Sequence, residues 1–133
     1  MITLKTKNAT FVDLINGLFG VQDLKGVRFS LAVSKNIRIL QQELQDIEEA
    51  AKATDEFTVL SATVNAAKDN PEELKKLEED NKDLIDARRA QLAEVDVLLQ
   101  EEVEIALFPI SVDVLPEQIT ALQITNIDKL IKE

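Results

Sequence analysis

The chain has 133 residues, 45% of them hydrophobic, and a net charge of −10, which together predict a single folded domain rather than a disordered segment. Cysteine and histidine are absent, so the sequence excludes disulfides, thiolate chemistry and the usual zinc ligands. No apolar run reaches the length of a transmembrane helix, and the N-terminus lacks the pattern of a signal peptide. The expected location is therefore the cytoplasm.

Charge is distributed unevenly along the sequence. Residues 1–40 carry six basic and two acidic side chains, whereas residues 41–133 carry nine basic and 23 acidic ones. The negative total opposes nonspecific binding to nucleic acid. This uneven distribution of charge favours contact between copies of the chain or docking on a basic partner. The alternative is that the acidic helix surface only keeps the chain soluble.

The N-terminal segment combines a strand pattern with a helix pattern. Alternating apolar residues predict a short edge strand at residues 1–8, which needs a partner from elsewhere in the chain. A short helix is predicted over residues 11–19, with Thr10 as its N-cap and Gly20 ending it in the left-handed conformation. We expect its phenylalanine rings to pack on the base of a hairpin formed by the two long helices predicted over residues 27–54 and 71–101.

The dominant pattern is an apolar stripe in a long helix predicted over residues 27–54. The 4-3-4-3 spacing of a coiled-coil seam is formed by Val33, Ile37, Leu40, Leu44 and Ile47. A second long helix is predicted over residues 71–101, where Asn70 and Pro71 make a strong start. We expect the two helices to pair as a long antiparallel hairpin, because the seam must be buried for a helix of this length to be stable.

Two parts of this hairpin are less regular. Residues 55–70 have helical apolar spacing but several β-branched side chains, which leaves a helical piece or a loop open at the hairpin tip. The second helix carries a looser apolar stripe of Leu74, Leu77, Leu84, Leu92, Val95 and Leu99, which Asn81 and Arg88 interrupt. Polar residues at seam positions often fix register or oligomeric state, so these two indicate a specific pairing.

The C-terminal part returns to strands and short helices. Two short strands are predicted within residues 102–115, separated by Pro109, and one of them is the expected partner of the first strand. Short helices are predicted over residues 116–132, the first opened by Pro116 and the last by a capping box at residues 125–128. The expected fold class is thus mainly α: a hairpin capped by a small sheet and short helices from both termini.

The side chains that carry most enzymatic chemistry are missing. Histidine is absent, and the three glycines (Gly17, Gly20 and Gly26) do not form a phosphate-binding loop. Carboxylates cluster at residues 78–83, but lysines are interleaved with them, which is typical of a solvated helix face rather than a cation site. We therefore expect no enzyme, metal or cofactor.

One cluster of basic side chains has an expected binding role. It consists of Lys25, Arg28, Lys35 and Arg38. Two of them lie near the start of the long helix, where backbone N–H groups also favour anions. A small phosphate-bearing ligand or the acidic helix of a neighbouring copy fits this cluster, and pairing with the acidic second helix of the same chain is the alternative.

Three segments resemble a set of small uncharacterised acidic proteins encoded by tailed bacteriophages. They are residues 25–36 (KGVRFSLAVSKN), residues 102–105 (EVEI) and residues 115–120 (LPEQIT). The resemblance extends to the order of predicted elements, and no activity is attached to it. It implies a phage-encoded protein, located in the host cytoplasm or incorporated in the virion.

These patterns favour a non-enzymatic phage accessory protein that acts by protein–protein contact in virion structure or assembly. Its expected partners are further copies of the chain or another phage or host protein, with no nucleic acid and no membrane. One alternative is a counter-defence or host-takeover inhibitor whose acidic surface imitates nucleic acid, although the positive N-terminal third weakens it. Another is a sponge that holds a small anionic signal between subunits.

Overall fold

The computed structural model describes all 133 residues and is mainly α-helical with small β elements, so the expected fold class is confirmed. No helix combines the length and apolar character needed to cross a membrane. Two short 3-10 segments lie at Val112–Val114 and Asp128–Leu130. The helices and strands in chain order are β1 (Ile2–Lys7), α1 (Asn8–Phe19), α2 (Val27–Ala51), α3 (Asp55–Ala66), α4 (Pro71–Asp80), α5 (Lys82–Gln100), β2 (Glu102–Leu107), β3 (Ile110–Ser111), α6 (Ala121–Ile127) and β4 (Ile131–Lys132).

The chain folds as two compact units, where the sequence predicts one domain. The sheet unit comprises Met1–Asp46 and Leu99–Glu133, and the helical unit comprises Ile47–Leu98. Of the 17 buried hydrophobic residues, 14 belong to the sheet unit and three to the helical unit. Most of the buried apolar side chains therefore belong to the sheet unit.

The sheet unit contains two small sheets. β1 pairs antiparallel with β2, placing Ile2 opposite Leu107 and Lys7 opposite Glu102, which confirms the expected partner of the first strand. β3 pairs in parallel with β4, with Ile110 opposite Ile131. This second sheet corrects the expectation of helices alone over residues 116–132, and two-residue strands are too short to leave a period in the sequence.

The first helix starts earlier than its sequence predicts. α1 follows β1 directly, because the N–H of Asn8 donates to the carbonyl oxygen of Glu101 at 2.9 Å and needs no side-chain cap. Thr10 therefore lies inside the helix. Gly20 ends α1 with a right-handed φ of −66°, not the left-handed conformation expected for it.

α6 also begins at a different residue from the one that its sequence indicates. The segment after Pro116 forms a turn, in which the N–H of Ile119 donates to the Pro116 carbonyl at 3.2 Å. The capping box is made by Thr120 and Gln123, whose side chains each accept a hydrogen bond from the other's backbone N–H. Thr125, expected to open the last helix, instead lies within α6 and donates to the Ala121 carbonyl.

The helical unit is built from the end of α2 and from α3, α4 and α5. α2 ends at Ala51 rather than at residue 54, since Thr54 caps α3 by accepting from the Phe57 N–H at 3.2 Å. Residues 55–66 form a helix, which settles the choice left open for the tip. The expected start of α4 is confirmed: the Asn70 side chain accepts from the Glu73 N–H at 3.2 Å.

The single helix predicted over residues 71–101 is wrong. α4 and α5 are separated at Asn81, which has φ −118° and ψ 23°. Its side-chain amide donates to the Leu77 carbonyl at 2.9 Å and closes the end of α4. Asn81 thus ends one helix rather than fixing the register of a seam, because a short amide side chain competes well for backbone groups at helix ends.

Candidate interaction surfaces

The start of α2 is fixed by a turn that holds the first basic residues at the surface. Gly26 has a φ of 138°, which only glycine adopts without strain. The Ser30 N–H donates to the Gly26 carbonyl at 2.8 Å, and the Ser30 hydroxyl donates to the Leu24 carbonyl at 3.4 Å. Lys25 and Arg28, on either side of this turn, are both exposed.

The exposed side of α2 combines basic and apolar side chains. Val27 and Leu31 are 79% and 53% exposed, so two large aliphatic side chains lie at the surface of this helix. Arg28, Lys35 and Arg38 are also exposed. With 3.6 residues per turn, all five lie on one side of the helix, opposite its buried stripe. We call this surface the basic face.

Lys35 is the basic residue with a defined neighbour. Its ammonium group lies 5.0 Å from the centre of the Phe108 ring, within the range of a cation–π interaction. The phenylalanine backbone is itself held by Asn36 on the same helix. Lys35 is thus oriented by the sheet unit, while its charge stays at the surface.

The seam residues divide into two groups. Val33, Leu40 and Leu44 are buried, whereas Ile37 and Ile47 are half-buried. The fully buried position between Val33 and Leu40 is taken by Asn36 in place of Ile37. Ile37 instead lines a groove of about 380 Å³ together with Arg38.

Sequence reasoning missed Asn36, although a signal was present. It lies three residues after Val33 and four before Leu40, which is the spacing of a buried helix face. A polar side chain there needs hydrogen-bond partners, and the chain supplies them from Phe108. The buried stripe therefore runs through Phe29, Val33, Asn36, Leu40 and Leu44.

In the helical unit, polar side chains of α5 close the end of α2. Arg88 donates to the Ala51 carbonyl at 2.8 Å. Gln91 donates to the carbonyls of Ala50 and Lys52, both at 2.8 Å, and accepts from Arg88 at 2.9 Å. The last carbonyls of a helix lack internal partners, so this pair satisfies those of Ala50 and Ala51 and places a positive charge at the negative end of the dipole.

Arg88 also lies 5.6 Å from the centre of the Phe57 ring on α3. The sequence marks Arg88 as an interruption of an apolar stripe, and its contacts explain why it occurs there. It connects α5 to the end of α2 and to α3 within one unit. Its role is structural in this chain, and no second copy is needed to satisfy it.

The helical unit also carries an open groove of about 650 Å³ beside α3. Aliphatic side chains line much of it, and Val59 among them is 67% exposed. Two carboxylates, Asp55 and Glu56, lie in the first turn of α3, and the lining contains no basic side chain. We call this surface the acidic groove; its apolar lining is formed by Val59, Leu60, Leu77 and Leu84.

A second groove of about 410 Å³ lies on another side of α3. Its lining includes Phe57, Val64 and Leu74, together with one lysine and one glutamate. The two grooves leave α3 partly uncovered on both flanks. Only Leu60, Ala67 and Val95 are buried in the whole helical unit, which is a small core for 52 residues.

The charge of the helical unit is strongly negative. It contains 14 acidic and seven basic side chains, and all 14 carboxylates are exposed. The carboxylates of residues 78–83 are among these, and no group of three or more is placed to hold a metal ion. The acidic groove and the basic face thus lie on different helices.

Comparison of the chain with protein-family models, with curated proteins and with solved structures finds no match. The surfaces described above are therefore the basis for any functional conclusion.

Proposed function

We propose that this protein acts without catalysis, by protein–protein contact, and that it self-associates as an accessory protein in virion structure or assembly of a tailed bacteriophage. The single observation that carries the proposal is the helical unit, whose core of three buried residues is flanked by two open apolar grooves. Apolar surface of this kind is stabilised when a protein partner covers it.

The absence of histidine and cysteine supports the non-catalytic part of the proposal. Association with further copies is supported by the basic face and the acidic groove, which have opposite charge and each expose aliphatic side chains. The phage setting rests on the resemblance of residues 25–36, 102–105 and 115–120.

Two measurements test this function. Light scattering of the purified chain over a range of concentrations is expected to give a mass above that of the 14.8 kDa monomer. Mass spectrometry of purified virions and of assembly intermediates is expected to detect the chain. A monomer mass at every concentration would contradict self-association, and absence of the chain from all particles would contradict the structural role.

A second candidate function is an inhibitor that occupies a basic host groove in place of nucleic acid. The observation that favours it is the helical unit, with 14 exposed carboxylates among 52 residues. A pull-down from host lysate would test it, since binding through charge is expected to be lost above a few hundred millimolar salt. The exposed basic residues of α2 weigh against it, because a mimic gains from a uniform sign.

A further inference from the structure

The basic face of α2 lacks any acidic side chain along its first three turns. Asp46, Glu43 and Asp23 are the carboxylates closest to it in sequence, and all lie outside residues 24–42. Val27 and Leu31 expose apolar area in the first two turns of this face, next to Arg28, and Lys35 and Arg38 follow on the same side of the helix. Such a surface fits a partner that combines exposed apolar area with carboxylates.

The acidic groove is complementary to the basic face, because it is also lined by aliphatic side chains but its charged side chains are acidic. Leu60, Leu77 and Leu84 give it an aliphatic lining, and Val59, also part of the lining, is exposed. Its charged lining residues, Asp55 and Glu56, are both exposed. The groove is open to solvent along α3, as a docking site for a helix is, and it is not an enclosed pocket for a small molecule.

We propose that the basic face of one copy docks into the acidic groove of a second copy. Val27 and Leu31 then cover the aliphatic lining of the groove, and Arg28 and Arg38 meet the carboxylates of Asp55 and Glu56. The proposal rests on the self-association proposed above and names the two surfaces that perform it. A second copy is the occupant that the structure favours, because both complementary surfaces belong to this chain.

This contact joins two different surfaces, so a docked pair still has one free face, on one copy, and one free groove, on the other. Contacts of this type close into a ring, of which a dimer with two reciprocal contacts is the smallest, or continue into open-ended chains. The mass in light scattering is therefore expected either to stop at that of a closed ring or to keep rising with concentration.

Charge reversal in two separate variants tests the pairing. The face variant is Arg28→Glu with Arg38→Glu, and the groove variant is Asp55→Lys with Glu56→Lys. Each variant alone places like charges together, which is expected to weaken self-association by on the order of a hundredfold. In an equal mixture, the acidic face of the first variant meets the basic groove of the second, and the natural face of the second meets the natural groove of the first. Both contacts pair opposite charges, so association is expected to return.

Matched controls change the same net charge elsewhere on exposed helix surfaces. Lys75→Glu with Lys76→Glu is the control for the face variant, and Glu48→Lys with Glu49→Lys is the control for the groove variant. Both are expected to associate within about threefold of the natural chain. Because Asp55 and Glu56 also favour the start of α3, Val59→Lys provides a second groove variant with no capping role.

Each outcome decides a different point. Loss in both variants with recovery in the mixture supports the proposal. Association that survives both reversals, or loss without recovery in the mixture, overturns this pairing and leaves self-association through another surface. A natural chain that stays monomeric, or that binds only a different protein, overturns the proposed self-association itself.

Discussion

The side-chain amide of Asn36 makes two hydrogen bonds to the backbone of Phe108: it donates to the carbonyl oxygen at 2.9 Å and accepts from the N–H at 2.7 Å. Asn36 is fully buried, and 72 residues separate the partners in sequence. Phe108 lies directly after β2 and before Pro109, so strand pairing cannot continue there. The amide takes over at that point and fixes α2 against the end of the strand.

Replacing Asn36 by leucine is expected to destabilise the protein strongly. The substitution keeps a similar volume but leaves two partly buried backbone groups of Phe108 without their Asn36 partner, which costs about 2–4 kcal/mol of the free energy of unfolding. Urea unfolding followed by circular dichroism measures the change. Ser34→Ala, on the exposed side of α2, is the control and is expected to change stability by less than about 0.5 kcal/mol. An Asn36→Leu variant as stable as this control would contradict the assignment.

Replacing Arg88 by methionine is expected to weaken the end of α2 by about 1–2 kcal/mol. The substitution removes the hydrogen bond to Ala51 and the interaction with the Phe57 ring while keeping much of the aliphatic stem. Unfolding measurements on Arg88→Met, on Gln91→Leu and on the double variant give the coupling energy between the two side chains. We expect about 0.5–1 kcal/mol, since the two side chains are hydrogen-bonded to each other.

Arg89→Met is the matched control for Arg88→Met. Arg89 is the next residue on α5 and is exposed, so its loss is expected to change stability by less than about 0.5 kcal/mol. Equal losses from the two arginines would mean that net charge, and not the contacts of Arg88, sets the effect.

Elements whose determinants lie within a few residues were predictable from the sequence. β1 follows from strict alternation between half-buried and exposed residues, and the start of α4 from the cap at Asn70. The start of α2 at Val27 follows from the glycine before it. In each case the hydrogen bonds or the periodicity that define the element are local.

The remaining features depend on residues that are distant in the sequence. α1 begins at Asn8 because Glu101 supplies a carbonyl, and Asn36 rather than Ile37 is buried because Phe108 meets it. The three basic residues of the basic face could be named from their spacing. The exposed Val27 and Leu31 between them, and the groove beside α3, could not, since burial is decided by how the helices pack.

Replacing Gly17 by alanine is expected to force α1 and α6 apart. A Cβ atom at this position would lie 2.7 Å from the backbone oxygen of Asn126, closer than packed atoms approach. We expect a loss of about 1–3 kcal/mol in the free energy of unfolding, measured by thermal or urea denaturation. Gly20→Ala is the comparison: its φ of −66° suits alanine and its closest contact is 3.3 Å, so the change is expected to stay within about 1 kcal/mol.

The helical unit is expected to open at lower free energy than the sheet unit. It buries three hydrophobic residues against 14, and hydrophobic burial is the main term that opposes local unfolding. Hydrogen exchange under native conditions, read by mass spectrometry, is expected to show amides of α3 and α4 exchanging at least about 2 kcal/mol more easily than those around Phe11 and Leu107. Exchange of these amides is expected to be slower in the self-associated protein than in the monomer, because docking covers apolar surface of the helical unit.

Two leucine substitutions provide the controls for this difference between the units. Leu60→Ala removes a buried side chain of the helical unit, and Leu130→Ala removes a fully buried one of the sheet unit; each is expected to cost about 2–5 kcal/mol of its own unit's stability. Faster exchange is expected across α3 and α4 in the first variant with little change around Phe11. If both variants instead accelerate exchange equally everywhere, the chain unfolds as one cooperative body, and the small core of the helical unit is not a separate point of weakness.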